Sequence, residues 1–356
     1  MGYLYIEEPR LRSFGEAVFR AAGYIAEQSA DIVDVLLTAD LYGIESHGVQ
    51  RLIRYYRAMQ EGSIRPDAGF TVLHETPISA VIDAPYTMGQ VMGKYGMRLA
   101  MDKARTSGIG MVVIRRTNHY GIAGYYASMA AEQDMIGISM ANTEAIMIPT
   151  HGRKAMLGTN PIALCMPADP VPFWYDAATT VVTRGKLEVY DKRGEPLPVG
   201  WAADEEGRDC TDAGHIIRNI IAKAGGGILP LGGLDEQTGS HKGYGLAMIV
   251  EILTTIVSGG TTGPHVQKSG NTDTTFTLWA IDYGVFGDKA EIRARMSALL
   301  QELRESPKAQ GQDRIYIHGE KELESRERML REGIPVQEAT LEEMRMIGRE
   351  LGVEWV

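Results

Sequence analysis

The sequence predicts a mixed α/β fold, with a sheet covered by helices in the middle of the chain and helices at both ends. In the middle region, short apolar segments of strand character alternate with amphipathic segments of helical spacing. Towards both ends, apolar residues recur at three- and four-residue intervals, the spacing of helices that bury one face. At 356 residues the chain exceeds one typical core. This length predicts two domains, or one large domain with a helical appendage.

The N-terminal segment, residues 10–61, is predicted to be helical. Its apolar residues follow helical spacing, as Leu11 and Phe14 illustrate, and the pattern resumes after a short break. Ser46 is a residue type that caps helices, so it is predicted to start a further helix that reaches Met59. A Glu-Gly-Ser sequence then ends the helical region.

The middle of the chain is predicted to build the sheet layer. Apolar runs bounded by turn residues predict strands at 70–73, 80–83, 108–115, 136–140, 161–166, 173–176, 276–281 and 314–317. Helical spacing predicts helices at 90–107, 125–133, 244–257 and 289–304, and again in the tail from Glu320. The alternation is typical of helices packed against a sheet.

Composition excludes several classes of protein. The formal net charge of −10 disfavours nucleic-acid binding, which needs a basic face. Two cysteines in a chain of this length build neither a disulfide framework nor a structural zinc site. The apolar run at 247–257 is too short to span a bilayer, and no secretory signal is recognised, so a cytoplasmic location without membrane partners is expected.

A first group of chemically active residues contains Ser46, His47, Arg51 and Tyr55. On a helix, spacings of four and eight residues would place the last three side chains on one face. A guanidinium can hold a carboxylate with two parallel hydrogen bonds, and an imidazole can exchange the proton of a neighbouring hydroxyl. The alternative is a solvated helix face that carries a histidine without a role.

A second histidine, His119, follows a predicted buried strand within Asn-His-Tyr-Gly. Strand exits gather ligands in open α/β sheets, although a surface histidine without a role is the alternative. Further along, Thr159 and Asn160 offer side-chain hydrogen-bond donors within a Gly-Thr-Asn-Pro turn. Both histidines are kept as acid–base candidates. The sequence favours His47, because Arg51 and Tyr55 share its predicted helix face.

Three further motifs point to anion or ribose binding. Asp176 ends a predicted strand and precedes small hydroxyl residues, which suits ribose hydroxyls and phosphate, or only a capped turn. Lys242 stands with glycines at a predicted helix start, where backbone N–H groups bind anions, although close packing also explains the glycines. His318 and Glu320 flank a glycine in a turn before the final helices. No Rossmann or Walker glycine motif and no metal-ligand spacing of histidines occurs, so no metal is expected.

In this order, the motifs resemble the type-2 malate/L-lactate dehydrogenase family, which includes ureidoglycolate, sulfolactate and diketogulonate oxidoreductases. The matching stretches are ADLYGIESHGVQRL from Ala39, NHYGIAGYYA from Asn118, LGTNPIA from Leu157, YDAATT from Tyr175, HKGYGLAMIVEIL from His241, and HGEKE from His318 with a later GIP. They span nearly the whole chain. Residues 185–190 and 228–232 look most like the malate dehydrogenases of that group.

The resemblance implies a non-Rossmann dinucleotide-binding mixed sheet, residues 71–320, with a helical domain built from residues 1–70 and 321–356. It implies NAD as cofactor, with NADP possible, and a homodimer or a dimer of dimers. It also implies substrate roles for Ser46, His47, Arg51 and Tyr55, and a catalytic role for His119 or His47. The implied cofactor contacts are Asn142, Thr143, Tyr175, Asp176, Ala177, Ala178, Thr179, His241, Lys242, His318, Gly319 and Glu320.

The expected reaction is hydride transfer between a nicotinamide dinucleotide and a small 2-hydroxy or 2-oxo acid. Malate/oxaloacetate is the first choice of substrate, with L-lactate/pyruvate next, and Thr159 and Asn160 are expected to contact it. The alternatives are a reductase of another 2-oxo or cyclic imino acid, such as sulfopyruvate, diketogulonate or piperideine carboxylate, or a non-catalytic dinucleotide-binding module. A metal-dependent hydrolase is disfavoured by the missing ligand spacing.

Overall fold

The computed structural model describes residues 2–266 and 273–355. The strands are β1 (Tyr3–Ile6), β2 (Thr71–Glu75), β3 (Ser79–Asp83), β4 (Ile109–Thr117), β5 (Ile136–Ala141), β6 (Ile162–Met166), β7 (Phe173–Ala177), β8 (Ala202–Ala203), β9 (Gly227–Ile228), β10 (Thr274–Ile281) and β11 (Ile334–Gln337). The helices are α1 (Glu8–Ala21), α2 (Ala26–Leu41), α3 (Leu52–Gln60), α4 (Gly89–Ser107), α5 (Ala123–Ala131), α6 (Arg184–Arg193), α7 (Ala213–Ala222), α8 (Ser240–Glu251), α9 (Lys289–Glu305), α10 (Glu320–Glu332) and α11 (Glu338–Leu351). Short 3₁₀ turns lie at Glu45–His47, Val49–Arg51, Gly263–His265 and Tyr283–Phe286.

A seven-stranded mixed sheet forms the centre of the molecule, in the order β2-β3-β4-β10-β5-β6-β7. Only β3 and β4 run parallel among its neighbours, and every other adjacent pair is antiparallel. Helices α4 and α5 pack on it around buried residues such as Ile114, Tyr126 and Leu278. A Cβ at Gly110 would lie 1.9 Å from the Ala100 carbonyl oxygen, so this glycine lets α4 approach the sheet. The predicted mixed α/β fold is confirmed.

The two ends of the chain pack together beside the sheet. Strands β1 and β11 pair antiparallel, and residues from α1, α2, α3, α10 and α11 share one apolar core. Phe14 of α1 packs edge-to-face on Trp355, with ring centroids 4.8 Å apart. Tyr55 of α3 is buried in the same core. The division of the chain into domains at residues 70 and 321 stays a prediction.

Several elements differ from the sequence prediction. The segment 314–317 is irregular instead of a strand, and Arg314 there forms an ion pair with Glu320. The predicted helix from Ser46 is wrong, because Gly48 has an extended conformation between two 3₁₀ turns and α3 begins only at Leu52. The short strands β1 and β11 and the helices α6 and α7 were not predicted. Each of these strands spans only four residues, which is too short for a periodic pattern to stand out.

The helix predicted at 244–257 starts earlier, at Ser240, and its last part is a π-helical turn at Ile252–Ile256. The buried Glu251 precedes that turn. Among the residues that the structure describes, no helix has the length and apolar character needed to cross a membrane. The cytoplasmic location stays a prediction.

Candidate active site

A cavity of about 390 Å³ lies where the helical part of the molecule meets the sheet. Its walls come from the two 3₁₀ turns before α3, the loop after β4, the segment after β5, the turn before β6 and the start of α6. Its volume is in the range of small-molecule sites. The cavity brings together seven of the predicted site residues: Ser46, His47, Arg51, His119, Asn142, Thr143 and Thr159.

The segment that carries His47 is held by a buried carboxylate. Asp40, at the end of α2, accepts a hydrogen bond of 2.8 Å from the Val49 backbone N–H. A Cβ at position 48 would lie 1.7 Å from an Asp40 carboxylate oxygen, so Gly48 is required for this close approach. Burial raises the pKa of Asp40 to about 8. The carboxyl group is therefore mostly protonated at neutral pH, and the turn is held by a hydrogen bond rather than by charge.

Within that segment, the side chains are oriented by short local bonds. The Ser46 hydroxyl lies 2.9 Å from His47 Nδ1, and Arg51 Nε donates to the Ser46 carbonyl oxygen at 2.5 Å. Among the residues that the structure describes, none accepts a hydrogen bond from the two terminal NH₂ groups of Arg51, so these groups can bind another partner. His47 and Arg51 meet in the cavity, although they do not share a regular helix face.

His119 is held more rigidly at the exit of β4. The preceding Asn118 is buried, and its amide donates to the carbonyl oxygens of Ser63 (3.1 Å) and Thr87 (3.0 Å). The Tyr55 hydroxyl lies 2.7 Å from His119 Nδ1. Tyr55 therefore orients His119 and not His47, although the sequence pattern associated it with His47.

The two imidazole rings face the same space, with centroids 5.3 Å apart. Burial, with added repulsion from the nearby Arg51 and Arg54 charges, lowers the pKa of His47 to about 4. Burial likewise holds the pKa of His119 well below its usual value, with added repulsion from Arg54, His47 and Arg51. Both rings are therefore neutral at pH 7 and can accept a proton.

The predicted residues on the sheet side fall into two groups. Thr143 and Thr159 face the cavity, and the Thr159 N–H donates to the Thr143 hydroxyl at 2.9 Å. Asn142 also borders the cavity, but its buried amide bonds the backbone at Thr261 and Thr275. Asn160 and Thr179 are buried outside the lining and bond neighbouring backbone or Glu251.

The remaining predicted cofactor residues lie outside this cavity. Tyr175, Asp176 and Ala177 belong to the edge strand β7, and Ala178 follows it. Asp176 accepts a 2.6 Å hydrogen bond from the Gly124 N–H at the start of α5, and burial raises the pKa of its carboxyl group to about 7. The exposed His318 ring contacts the Tyr175 ring edge-to-face at 5.3 Å.

The His318 turn and the α8 turn are built differently. Glu320 is paired with Arg304 (2.6 Å) and Arg314 (2.9 Å). A Cβ at Gly319 would lie 2.9 Å from the Trp174 side chain, so this glycine lets the turn pack against Trp174. His241 and Lys242 are exposed in the first turn of α8. A Cβ at position 243 in the same turn would lie 2.4 Å from the Leu231 backbone, so that glycine serves close packing.

Sequence reasoning missed three charged residues of the cavity lining: Arg54, Arg184 and Glu188. Arg184 Nε and Glu188 form an ion pair of 2.9 Å at the start of α6. Their spacing of four residues was a detectable signal, but α6 itself was not predicted. Arg54 stands three residues after Arg51, and this spacing was a signal for a second cation on the same side.

Comparison with known proteins assigns the chain to a defined family. The sequence profile of the malate/L-lactate dehydrogenase family matches residues 6–345. The chain is 43% identical over 354 residues to a malate dehydrogenase from Pyrococcus abyssi, covering 99% of this chain and 96% of that protein. It is 37% identical over 334 residues to an L-sulfolactate dehydrogenase from Methanothermobacter thermautotrophicus, covering 92% of each.

A solved structure agrees with the sequence relatives. The malate dehydrogenase of Entamoeba histolytica superposes with a TM-score of 0.95 at 33% identity, over 99% of both chains. The predicted family is confirmed. The chain belongs to the malate/L-lactate dehydrogenase family and is an oxidoreductase that acts on a CH–OH group with a nicotinamide dinucleotide.

Proposed function

We propose that this protein catalyses the NAD-dependent interconversion of malate and oxaloacetate. The observation that carries the proposal is the meeting of two neutral histidines and Arg51 in one cavity. The similarity to malate dehydrogenases over nearly the whole chain supports malate as the substrate. L-lactate/pyruvate is a further substrate pair of this chemistry. The similarity to an L-sulfolactate dehydrogenase makes sulfopyruvate reduction the second candidate.

In the oxidation direction, Arg51 binds the C1 carboxylate through its two free terminal NH₂ groups. His119 accepts the proton of the C2 hydroxyl, and His47 holds the same oxygen in place. We assign the proton to His119 because Tyr55 orients it through a bond of 2.7 Å. Such acid–base catalysis typically contributes ~10²–10⁴-fold to the rate.

The tautomer of His119 follows from its neighbours. Tyr55 at 2.7 Å is a closer partner of Nδ1 than the Gly121 N–H at 3.4 Å. With the ring proton on Nδ1 and the Tyr55 oxygen as its acceptor, the Nε2 lone pair is free for the substrate proton. In the reduction direction, the same nitrogen returns the proton to the carbonyl oxygen.

The residues around the cavity fit a dinucleotide. Thr143 lines the cavity, and the Tyr175 and His318 rings form an aromatic surface along the sheet edge. We propose Thr143 and the segment Tyr175–Thr179 as holding residues, together with the backbone at His318–Glu320. A bound nicotinamide dinucleotide would supply the hydride chemistry at C2, as acceptor in oxidation and as donor in reduction.

NAD is preferred over NADP in this proposal because carboxylates lie along the same edge. Burial, with added repulsion from Glu322, raises the pKa of Asp176, so the two carboxyl groups lie within electrostatic reach of each other. The negative charge of Glu322 would oppose the additional phosphate of NADP.

The test is the absorbance of reduced nicotinamide with NADH or NADPH against oxaloacetate, pyruvate, sulfopyruvate and piperideine carboxylate. We expect NADH with oxaloacetate to give the highest kcat/KM. Preference for sulfopyruvate would establish the second candidate. Turnover of no 2-oxo acid with either cofactor would contradict the proposed function.

We further propose that the protein is a homodimer. Ile249, Ile252, Ile256 and Val257 run along α8 and the π-helical turn, with 45–61% of each side chain exposed. An apolar stripe of this kind is typical of a covered surface. A second copy of this chain is the proposed partner, because the family resemblance implies dimers. Light scattering coupled to gel filtration measures the assembly, and a monomer at micromolar concentration would contradict it.

A further inference from the structure

We propose that Arg54 binds the second acidic group of the substrate and thereby selects dianionic 2-hydroxy acids over monocarboxylic ones. The inference rests on the proposed function, since it concerns the same cavity and the same reaction. It adds a residue that distinguishes dianionic from monoanionic substrates, which Arg51 alone does not do.

Arg54 is placed for this role by α3. It precedes Tyr55, whose hydroxyl lies 2.7 Å from His119, and its side chain lines the same cavity as Arg51 and both histidines. After burial, the charge of Arg54 is the largest contribution that lowers the pKa of His119 and of Arg51, so its guanidinium lies within electrostatic reach of both side chains. Arg54 therefore lies beside the reacting centre.

The charge of Arg54 has no ion-pair partner among the residues that the structure describes. Among residues 2–266 and 273–355, no carboxylate lies within the 4.0 Å ion-pair distance of its guanidinium, and no side-chain or backbone acceptor binds it. Arg184, by contrast, is already paired with Glu188 at 2.9 Å. An exposed cation at a cavity wall, next to an Arg51 that holds one carboxylate, matches a ligand with a second anionic group.

A dianionic substrate would also neutralise the repulsion between two neighbouring guanidinium groups. Arg51 and Arg54 repel each other, and this repulsion adds to burial in lowering the pKa of Arg51. One monocarboxylate leaves one of these two guanidiniums without a counter-charge. A substrate with acid groups at both ends offers each arginine a partner, as malate, oxaloacetate and sulfolactate do.

The experiment compares malate with L-lactate, which has the same C2 chemistry but only one acid group. Steady-state kcat/KM is measured for both in the parent, in Arg54→Gln and in Arg54→Lys. Loss of a charge-assisted hydrogen bond predicts a roughly 10- to 150-fold fall in the malate-to-lactate ratio for Arg54→Gln. Arg54→Lys keeps the charge and should restore part of the ratio.

Arg57→Gln is the matched control, because Arg57 is an exposed arginine of the same helix outside the cavity lining. Its malate-to-lactate ratio should equal that of the parent. An equal fall for both substrates in Arg54→Gln, or a rise in KM for the cofactor alone, would overturn the inference in favour of a cofactor contact. An unchanged ratio would overturn it as well.

The parent enzyme separates this inference from the proposed function. A parent that prefers malate, but whose malate-to-lactate ratio is unchanged in Arg54→Gln, contradicts the role of Arg54 alone and leaves the proposed function intact. A parent that oxidises neither acid, and reduces no 2-oxo acid of the wider panel, contradicts both.

Discussion

The two histidines of the cavity sit on segments of very different construction. His119 follows the nine-residue strand β4, which pairs with β3 and β10 inside the sheet. His47 lies in the first of two three-residue 3₁₀ turns, neither of which has a side-chain cap. The first segment is fixed by the sheet and by Asn118. The second is fixed by the hydrogen bond from the Val49 N–H to Asp40 and by the bonds that Tyr3 and Gln337 donate to Glu45.

This difference suggests a division of labour. Proton transfer requires a fixed distance and angle to the reacting oxygen, which a strand exit with a bonded tyrosine provides. Substrate binding tolerates small adjustments, which short turns around a glycine allow. His119 is therefore assigned to proton transfer. The His47 segment, with Arg51, is assigned to binding of the substrate carboxylate.

The largest effect is expected from replacing each of the two histidines separately by asparagine. His119→Asn should lower kcat by ~10²–10⁴-fold, because acid–base catalysis is lost. His47→Asn should mainly raise KM, because a substrate contact is lost while the base remains. Steady-state kinetics of both variants check this, and the reverse pattern would move the proton to His47.

Arg51→Lys tests the carboxylate contact of the His47 segment. Lysine keeps the charge but removes the planar fork, so kcat/KM for the acid should fall by roughly 10- to 150-fold. Cofactor affinity, measured by calorimetry, should change little. Normal kinetics on the true substrate would exclude Arg51 from carboxylate binding.

Removal of the hydroxyl group that orients each imidazole ring should affect kcat for one ring and KM for the other. Tyr55→Phe removes the partner of His119 Nδ1 and should lower kcat by roughly tenfold, since one hydrogen bond typically contributes ~0.5–1.5 kcal/mol. Ser46→Ala removes the partner of His47 and should change KM by a few-fold with little change in kcat. Equal effects of both variants on kcat would remove the distinction between the segments.

A smaller effect concerns the anchor of the His47 segment. The folded pKa of Asp40 is raised to about 8, above the ~3.9 of an unfolded chain, so its ionisation opposes folding. The free energy of unfolding should therefore fall as pH rises from about 4 to 8. The Asp40→Asn side chain cannot ionise. The thermal midpoint of this variant, relative to that of the parent, should therefore rise with pH across this range. A pH-independent difference in calorimetry would contradict the raised pKa.

The sheet and its covering helices were predictable because their patterns are long. Strand β4 and helix α4 each repeat apolar residues over nine residues or more, and their bounds agree with the prediction to within about two residues. The strand exit that carries His119 followed directly from that pattern. Tertiary contact decided the rest. Ser46 looks like a helix cap, but the buried Asp40 and the extended Gly48 divide the segment into two turns.

The contacts between site residues were harder to predict than the identity of those residues. Spacing placed Tyr55 with His47, whereas its hydroxyl contacts His119, 64 positions further along the chain. Arg54 carried only a three-residue spacing from Arg51, a weak signal until the cavity wall is seen. Contacts between distant segments depend on how the helices dock on the sheet, which no local pattern contains.

The most direct test is the pH dependence of kcat/KM in both directions for the parent enzyme. Burial, together with the charges of Arg54, His47 and Arg51, holds the pKa of His119 well below its usual value, and Tyr55 is its uncharged neighbour. Above that pKa the free enzyme holds a neutral ring, so malate oxidation should be flat from about pH 6.5 to 8, whereas oxaloacetate reduction should fall about tenfold per pH unit. The fall should disappear in His119→Asn. Reduction that does not decline with pH in the parent, or that keeps its full slope in His119→Asn, would contradict the account.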